Sequence, residues 1–203
     1  MSGDLAFACK CGAVAGTLRE AGSHNGDRVV CHCDSCQAFA WFCDDQDRVL
    51  DAHAGTDLYN TGAAQMSIER GRENLACVHL TEKPTLRWYA TCCSTPMFNT
   101  YANGKVPYVT ALVANCDADR RDAMLQEPQG HLFLKDAPGD TSRLKKMSAF
   151  AMIRIALPRM LEAVFSGDRR RAALFDSVTL EPIAKPHRLT AIERADLHAK
   201  VSA

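Results

Sequence analysis

Residues 31–36 read Cys-His-Cys-Asp-Ser-Cys, and this cysteine-rich run is the most informative stretch of the chain. Zinc prefers four tetrahedral ligands, and a catalytic zinc keeps one of the four positions open. Cys31, Cys33 and Cys36 could supply three thiolates from one short segment. The run therefore predicts a metal centre with an exchangeable position, the alternative being that one or two of these thiols are buried as small apolar residues.

Two further cysteine groups frame this run. Cys9 and Cys11 lie in Cys-Lys-Cys-Gly, at an apparent hairpin, and supply half of a closed metal site. Cys92 and Cys93 are adjacent and are the obvious source of the remaining ligands. The solitary thiols at Cys43, Cys77 and Cys116 are predicted to be core residues.

Composition favours metal binding over a disulfide framework. The chain has 203 residues, ten cysteines and no net charge, and residues 1–9 lack the basic segment of a secretory signal. Because the cytosol keeps thiols reduced, ten cysteines in a cytoplasmic protein point to metal or thiol chemistry. The neutral charge argues against nucleic acid as the main partner. The longest apolar stretch, Ala149–Phe165, is interrupted by Arg154 and Glu162, so no membrane span is expected.

The pattern of short apolar runs predicts a mainly β domain over residues 1–116, followed by an α-helical extension over 117–203. Gly, Pro and Asn separate the runs, which is typical of antiparallel strands. Strands are predicted at residues 7–9, 13–18, 27–33, 65–69, 75–80, 86–91 and 106–113. Helices are predicted at 34–42 with Asp34 as N-cap, at 119–126, at 147–165, and from a Thr190/Glu193 capping box onward.

Taken together, the motifs resemble the glutathione-dependent formaldehyde-activating enzyme / centromere-protein-V domain family over residues 5–115. The resemblance rests on Cys9-x-Cys11-Gly, the 31–36 run, Gly55-x-x-Leu58-Tyr59, and the late cysteine pair before Thr95-Pro96. It implies an antiparallel β-tent fold holding two zinc ions. Cys9 and Cys11 would be structural ligands, and Cys31, Cys33 and Cys36 would hold the catalytic zinc.

The late cysteine pair departs from the family pattern. The family has Cys-x-x-Cys, whereas alignment on Thr95-Pro96 places Ala90 where the first of those cysteines should be. Either Cys92 and Cys93 both bind the metal, or the site has three thiolates, or the structural zinc is lost and the pair is redox-active.

The function that the resemblance implies is a zinc-dependent carbon–sulfur lyase, or thiol-adduct enzyme, acting on a glutathione-type thiol and formaldehyde or a similar aldehyde. The alternatives are a non-catalytic zinc-binding interaction module and a thiol redox protein using Cys92 and Cys93. Residues 147–165 are apolar on nearly all faces, so homodimerisation through this helix is a further hypothesis.

Polar neighbours of the 31–36 run are weaker candidates. His32 should point away from its two cysteine neighbours, because successive side chains of an extended chain alternate faces. Asp34 and Gln37 could position a polar substrate or orient a ligand.

Overall fold

A computed structural model describes residues 3–201, which form eleven strands and five α-helices. The strands are β1 (Gly3–Ala8), β2 (Ala15–Ala21), β3 (Gly26–Cys31), β4 (Thr56–Gly62), β5 (Met66–Arg70), β6 (Leu75–His79), β7 (Thr85–Ala90), β8 (Thr95–Tyr101), β9 (Tyr108–Leu112), β10 (His131–Leu132) and β11 (His187–Arg188). The helices are α1 (Asp34–Phe42), α2 (Gln46–Val49), α3 (Ala118–Leu125), α4 (Ala149–Phe165) and α5 (Ala191–Val201).

The strands form two sheets, which confirms the predicted mainly β fold. A three-stranded sheet has the order β1-β2-β5, and an eight-stranded sheet has the order β10-β3-β4-β9-β8-β7-β6-β11. Pairing is antiparallel except at the two edges, where β10 and β11 lie parallel to β3 and β6. Both edge strands belong to the segment after residue 116, so this segment completes the large sheet in addition to forming helices.

Four strands of the large sheet were not predicted: β4, β8 and the two-residue edge strands β10 and β11, which are too short to give a sequence pattern. β4 was missed because its sequence, Thr-Asp-Leu-Tyr-Asn-Thr-Gly, is mostly polar. β8 was missed because Thr95-Pro96 was interpreted as a separator, whereas the strand begins there. Pro96 is tolerated because the pairing with β7 is irregular between Trp88 and Tyr89, next to the position where the proline lacks an N–H.

The hydrophobic core has two parts. One cluster includes Leu5, Leu18 and Trp88, and the other includes Phe39 and Leu58. The three solitary cysteines, Cys43, Cys77 and Cys116, are buried in these clusters, which confirms their prediction as core residues. Burial raises the pKa of both Cys77 and Cys116 to about 12, so these thiols stay neutral.

Helix ends follow local capping chemistry with one correction. Asp34 is the first residue of α1, and Cys33 occupies the N-cap position, so the prediction that Asp34 is the cap is wrong. The Asp34 carboxylate instead lies in the first turn, where its negative charge interacts favourably with the positive end of the helix dipole and stabilises α1. The predicted capping box before α5 is confirmed, because Thr190 Oγ1 accepts from the Glu193 amide and Glu193 accepts from the Thr190 amide.

Helix α4 begins two residues later than predicted, after Ser148, whose hydroxyl accepts a hydrogen bond from the Ala151 amide at 3.1 Å. Gly167, with a φ of +79°, follows its C-terminal end, as expected for a residue that must adopt the left-handed conformation. An ion pair between the partly exposed Arg159 and the buried Asp27 of β3 joins the helix to the large sheet. Within residues 3–201, no helix combines the length and hydropathy needed to cross a bilayer.

Candidate metal centre

Four thiols meet where the β1–β2 and β7–β8 connections approach each other. Cys9 and Cys11 lie in the first connection, and Cys92 and Cys93 lie in the second. All four sulfurs are within 4.8 Å of one another. Cys92 Sγ is 3.4 Å from Cys11 Sγ, 3.9 Å from Cys9 Sγ and 3.8 Å from Cys93 Sγ.

These distances fit a tetrahedral metal. A zinc ion with Zn–S bonds of about 2.3 Å holds its sulfur ligands about 3.8 Å apart. Four of the six sulfur pairs in the cluster are 3.4–3.9 Å apart, and all six lie within 4.8 Å. Ala90, aligned with a family cysteine, is a buried residue at the end of β7, opposite Leu75 and Thr95. Of the alternatives for the late pair, the structure therefore brings both Cys92 and Cys93 into a four-thiol cluster that could hold a metal ion.

Hydrogen bonds from the surrounding chain favour thiolate in this four-thiol cluster. The Val14 amide donates to Cys9 Sγ at 3.3 Å. Burial alone would raise the pKa of Cys93, but hydrogen bonds from the Thr95 hydroxyl and the Cys11 backbone lower it to about 6. Burial and a hydrogen bond to Cys11 raise the pKa of Cys92 to about 12. Without metal, some of these sulfurs, Cys92 among them, therefore carry protons, and binding of zinc would release those protons.

The second cluster forms where β3 meets α1. Cys31 is the last residue of β3, Cys33 precedes α1, and Cys36 lies in the first turn of the helix. Their three sulfurs are within 4.8 Å of one another, with Cys31 Sγ and Cys33 Sγ 3.5 Å apart. The helix N-terminus favours negative charge. Among the described residues, no fourth His, Cys, Asp or Glu joins this group, so a bound metal would keep an open position.

Arg87 of β7 is the cation nearest these three thiols and is 5% exposed. Its Nη1 donates to Asn99 Oδ1 at 2.8 Å and to Cys36 Sγ at 3.5 Å, and its Nη2 donates to Ser35 Oγ at 2.8 Å. Hydrogen bonds from Cys31 and Cys33, together with the charge of Arg87, hold the pKa of Cys36 well below its usual value. The pKa values of Cys31 and Cys33 are raised instead, so without metal the cluster favours one thiolate, at Cys36.

Arg87 belongs to a row of polar residues that crosses the centre of the large sheet. Asn60 of β4 is opposite Thr110 of β9, Thr110 is opposite Asn99 of β8, and Asn99 is opposite Arg87 of β7. Directly opposed residues project from the same face of a sheet. The Thr110 hydroxyl donates to Asn60 Oδ1 at 3.3 Å. We call Asn60, Thr110, Asn99 and Arg87 the polar row.

The three thiols and the polar row line one cavity of about 420 Å³, a size within the range of small-molecule sites. Apart from the hydroxyl of Tyr108, the rest of its lining is apolar and comes from the sheet, from the β10 region and from α4: Val29, Leu58, Tyr108, Leu132, Phe133, Met152, Ile153, Ala156 and Met160. Phe133 has a φ of +58°, a strained conformation for a bulky residue and one that is frequent around functional sites. A more open depression of about 690 Å³ beside α2 contains none of the ten cysteines.

The polar row was missed in the sequence because its residues are far apart and alternate with apolar neighbours. Each is flanked by core residues, as in Leu86-Arg87-Trp88 and Val109-Thr110-Ala111. The available signal was a polar or charged side chain at an interior position of a predicted strand. Burying such a side chain requires a hydrogen-bond partner or a function.

The weaker candidates lie outside this cavity. His32 is fully buried and bonds the His53 carbonyl at 2.8 Å and the His131 ring at 3.0 Å, so it points away from the thiols as predicted. The Gln37 amide donates to the carbonyls of His32 and Asp136 and thereby fixes the backbone around the three-thiol cluster. Asp34 does not line the cavity.

Comparison with known proteins gives a family but no activity. A structural-genomics crystal structure of a Rhodobacter sphaeroides protein is similar at 18% identity and a TM-score of 0.41, covering 61% of this chain and 96% of that one. No curated protein matches the sequence. A family model does match residues 1–167, a range that holds both cysteine clusters, the polar row and α4. The chain therefore belongs to DUF6151, a family of unknown function.

Proposed function

We propose that the chain is a zinc-dependent enzyme that adds a thiol to a small aldehyde, or cleaves the resulting adduct. The observation that carries the proposal is an incomplete ligand set, Cys31, Cys33 and Cys36, whose members all line a cavity of ligand size. A closed four-ligand site would be structural, whereas three ligands leave room for substrate. The four-thiol cluster of Cys9, Cys11, Cys92 and Cys93 has the closed arrangement and is assigned a structural role.

Cys31, Cys33 and Cys36 would hold the zinc ion, which would supply an open position and lower the pKa of a substrate thiol toward neutral pH. In the addition, the substrate sulfur forms a bond to the carbonyl carbon, and the carbonyl π bond breaks. The carbonyl oxygen takes a proton from water, and the proton of the thiol goes to solvent. The sum is thiol plus aldehyde giving an S-hydroxyalkyl thioether, with no oxidant or reductant; the reverse is a carbon–sulfur lyase reaction.

The polar row supplies groups for the carbonyl oxygen. Negative charge develops on this oxygen as the carbon–sulfur bond forms, and fixed donors stabilise such charge strongly in a buried site. Arg87 brings a permanent positive charge, and its Nε–H is buried without a partner. Asn99 and Ser35 hold the guanidinium in place through its other nitrogens, so its orientation is fixed before substrate arrives.

The four-thiol cluster also bears on the redox alternative. The sulfurs of Cys92 and Cys93 are 3.8 Å apart, but Cys92 Sγ is also 3.9 Å from Cys9 Sγ and 3.4 Å from Cys11 Sγ. Four sulfurs around one point favour metal binding over an isolated redox pair.

The test combines metal content with aldehyde exchange. The purified protein is expected to contain two zinc ions per chain, and Cys36→Ser to contain one. With ¹³C-formaldehyde and either glutathione, the thiol suggested by the family resemblance, or the apolar 2-phenylethanethiol, exchange NMR should show adduct turnover with at least one of the two thiols, and Cys36→Ser should reduce it to the uncatalysed rate. Cys77→Ala, which removes a core thiol outside both clusters, is the matched control and should keep two zinc ions.

Circular dichroism separates the remaining outcomes. A folded Cys36→Ser protein with undiminished turnover contradicts the proposed site. An unfolded Cys36→Ser protein would mark this zinc as structural and would favour the non-catalytic module.

A further inference from the structure

We infer that the thiol substrate of this site has an uncharged, apolar body, and that α4 and Phe133 form the surface that selects it. The inference rests on the proposed function and specifies the substrate class of that same site. It follows from how charge and polarity are distributed around the cavity.

The polar groups of the cavity are confined to one side. The polar row lies on the sheet beside the three thiols, and two of its hydrogen bonds are made within the row itself. Away from the polar row, the lining includes Leu132 of the edge strand β10, Phe133 and four residues of α4: Met152, Ile153, Ala156 and Met160. None of these side chains offers a hydrogen-bond donor, and a thioether sulfur is only a weak acceptor.

Arg87 is the single charged residue of the lining, and its position ties it to the reacting atoms. It contacts Cys36, Asn99 and Ser35 at the thiol end of the cavity. No Lys, Asp, Glu or second Arg lines the cavity among the described residues. A charged group packed against Met152, Ala156 and Met160, the less exposed residues of α4 in the lining, would therefore lose water without gaining a partner, which is unfavourable.

Glutathione fits this distribution poorly. It carries two carboxylates and an ammonium group on the part of the molecule that would extend away from the zinc. An apolar body, in contrast, would bury its surface against Met152, Ile153 and Met160 and gain from the hydrophobic effect. Methionine side chains adapt to differently shaped apolar groups, so a class of such thiols is expected rather than one compound.

The test is thiol binding to protein in which Co²⁺ replaces zinc, because the visible absorption of cobalt reports its ligands directly. Three probes are titrated: 2-phenylethanethiol, the small anionic 2-mercaptoethanesulfonate, and glutathione. We expect 2-phenylethanethiol to change the cobalt spectrum with a Kd at least tenfold below those of the two charged thiols. Equal or tighter binding of glutathione overturns the inference and leaves the proposed function standing.

The other outcome is separable. A cobalt spectrum that no thiol changes overturns the proposed function together with the inference, because the three-thiol site then has no position open to substrate.

A pair of lysine substitutions on α4 tests the selecting surface. Met160→Lys places an ammonium group in the cavity and should weaken 2-phenylethanethiol binding at least tenfold. The ratio between the Kd values of glutathione and 2-phenylethanethiol should fall at the same time. Leu161→Lys makes the same change on an exposed neighbour that does not line the cavity, and binding should be unchanged. The thiol-free cobalt spectrum of each variant verifies that the site is intact. Equal effects of the two substitutions would contradict the assignment of α4 as the selecting surface.

Discussion

At the scale of single residues, Arg87 is the most informative, because burying its charged guanidinium costs solvation free energy. A fully buried guanidinium is tolerated only where partners compensate for the lost water. Here Asn99, Ser35 and Cys36 do so, and the ring of Phe39 lies 5.7 Å from the guanidinium carbon. Three thiolates with a divalent ion carry one net negative charge, which the single charge of Arg87 balances.

Replacing Arg87 should weaken metal binding at the three-thiol cluster. Arg87→Met keeps apolar volume but removes the charge and the hydrogen bond to Cys36, so we expect the zinc affinity of this cluster to fall about 10–100-fold. The four-thiol cluster should be unaffected. Competition with a chromophoric chelator resolves the two affinities, and Arg188→Met, on the exposed edge strand β11, is the control. A loss at both clusters would indicate general unfolding instead.

At the scale of secondary-structure elements, α4 is held on the sheet by packing of Met152 and Ala156 and by one ion pair, between Arg159 and Asp27. Asp27 is 2% exposed, and Arg159 and Gln129 are its side-chain partners. Removing the cation leaves a buried carboxylate without its charge partner, which costs more than the pair itself contributes.

Arg159→Met should therefore destabilise the protein by about 3–5 kcal/mol, the usual cost of breaking a buried pair. Asp27→Asn in the same chain removes the orphaned charge and should recover most of that loss. Urea denaturation of the two single variants and the double variant gives the coupling energy. Additive effects of the two substitutions would show that Asp27 and Arg159 do not interact.

The elements also show what sequence reasoning could and could not reach. The strands with apolar alternation and the helices with capping signals were predicted, because those patterns are local. β4 was missed because it is mostly polar, and β8 because Thr95-Pro96 at its start resembles a separator. The interior residues Asn60 and Asn99 resemble loop residues in isolation and gave no opposing signal. Their polarity is required by the cavity, which exists only after four distant strands have paired. The cysteine clusters were predicted because metal ligation restricts both spacing and residue type.

At the scale of the whole molecule, α4 carries six of the nine large apolar side chains that are exposed within residues 3–201. Ile153 also lines the cavity, and the other five are Phe150, Ile155, Leu157, Leu161 and Phe165, the last of them 86% exposed. A helix pair related by a two-fold axis near Pro158 would place Arg154 of one copy level with Glu162 of the other, and Phe150 level with Phe165. This self-complementary arrangement supports the homodimer hypothesis.

We accordingly expect a mass in solution of twice the 22.2 kDa chain. Leu157→Glu should yield monomers, because it places a buried charge at the centre of the pair. Arg154→Glu should weaken the dimer, and Arg154→Glu combined with Glu162→Arg should restore it. Sedimentation equilibrium measures each case; a monomeric native protein would contradict the hypothesis, and a swap that fails to restore dimers would contradict the antiparallel register.

The parallel edge strands have a consequence for the order in which the chain can be completed during synthesis. β3 and β6 acquire their outer neighbours only when residues 131–132 and 187–188 have been made. Until then, both margins of the sheet expose unpaired backbone groups, the kind of surface on which nascent chains aggregate. A ribosome-bound chain of this protein would thus remain vulnerable until nearly all of it has emerged, and truncation before β11 should lower the yield of soluble protein more than the loss of two paired residues suggests.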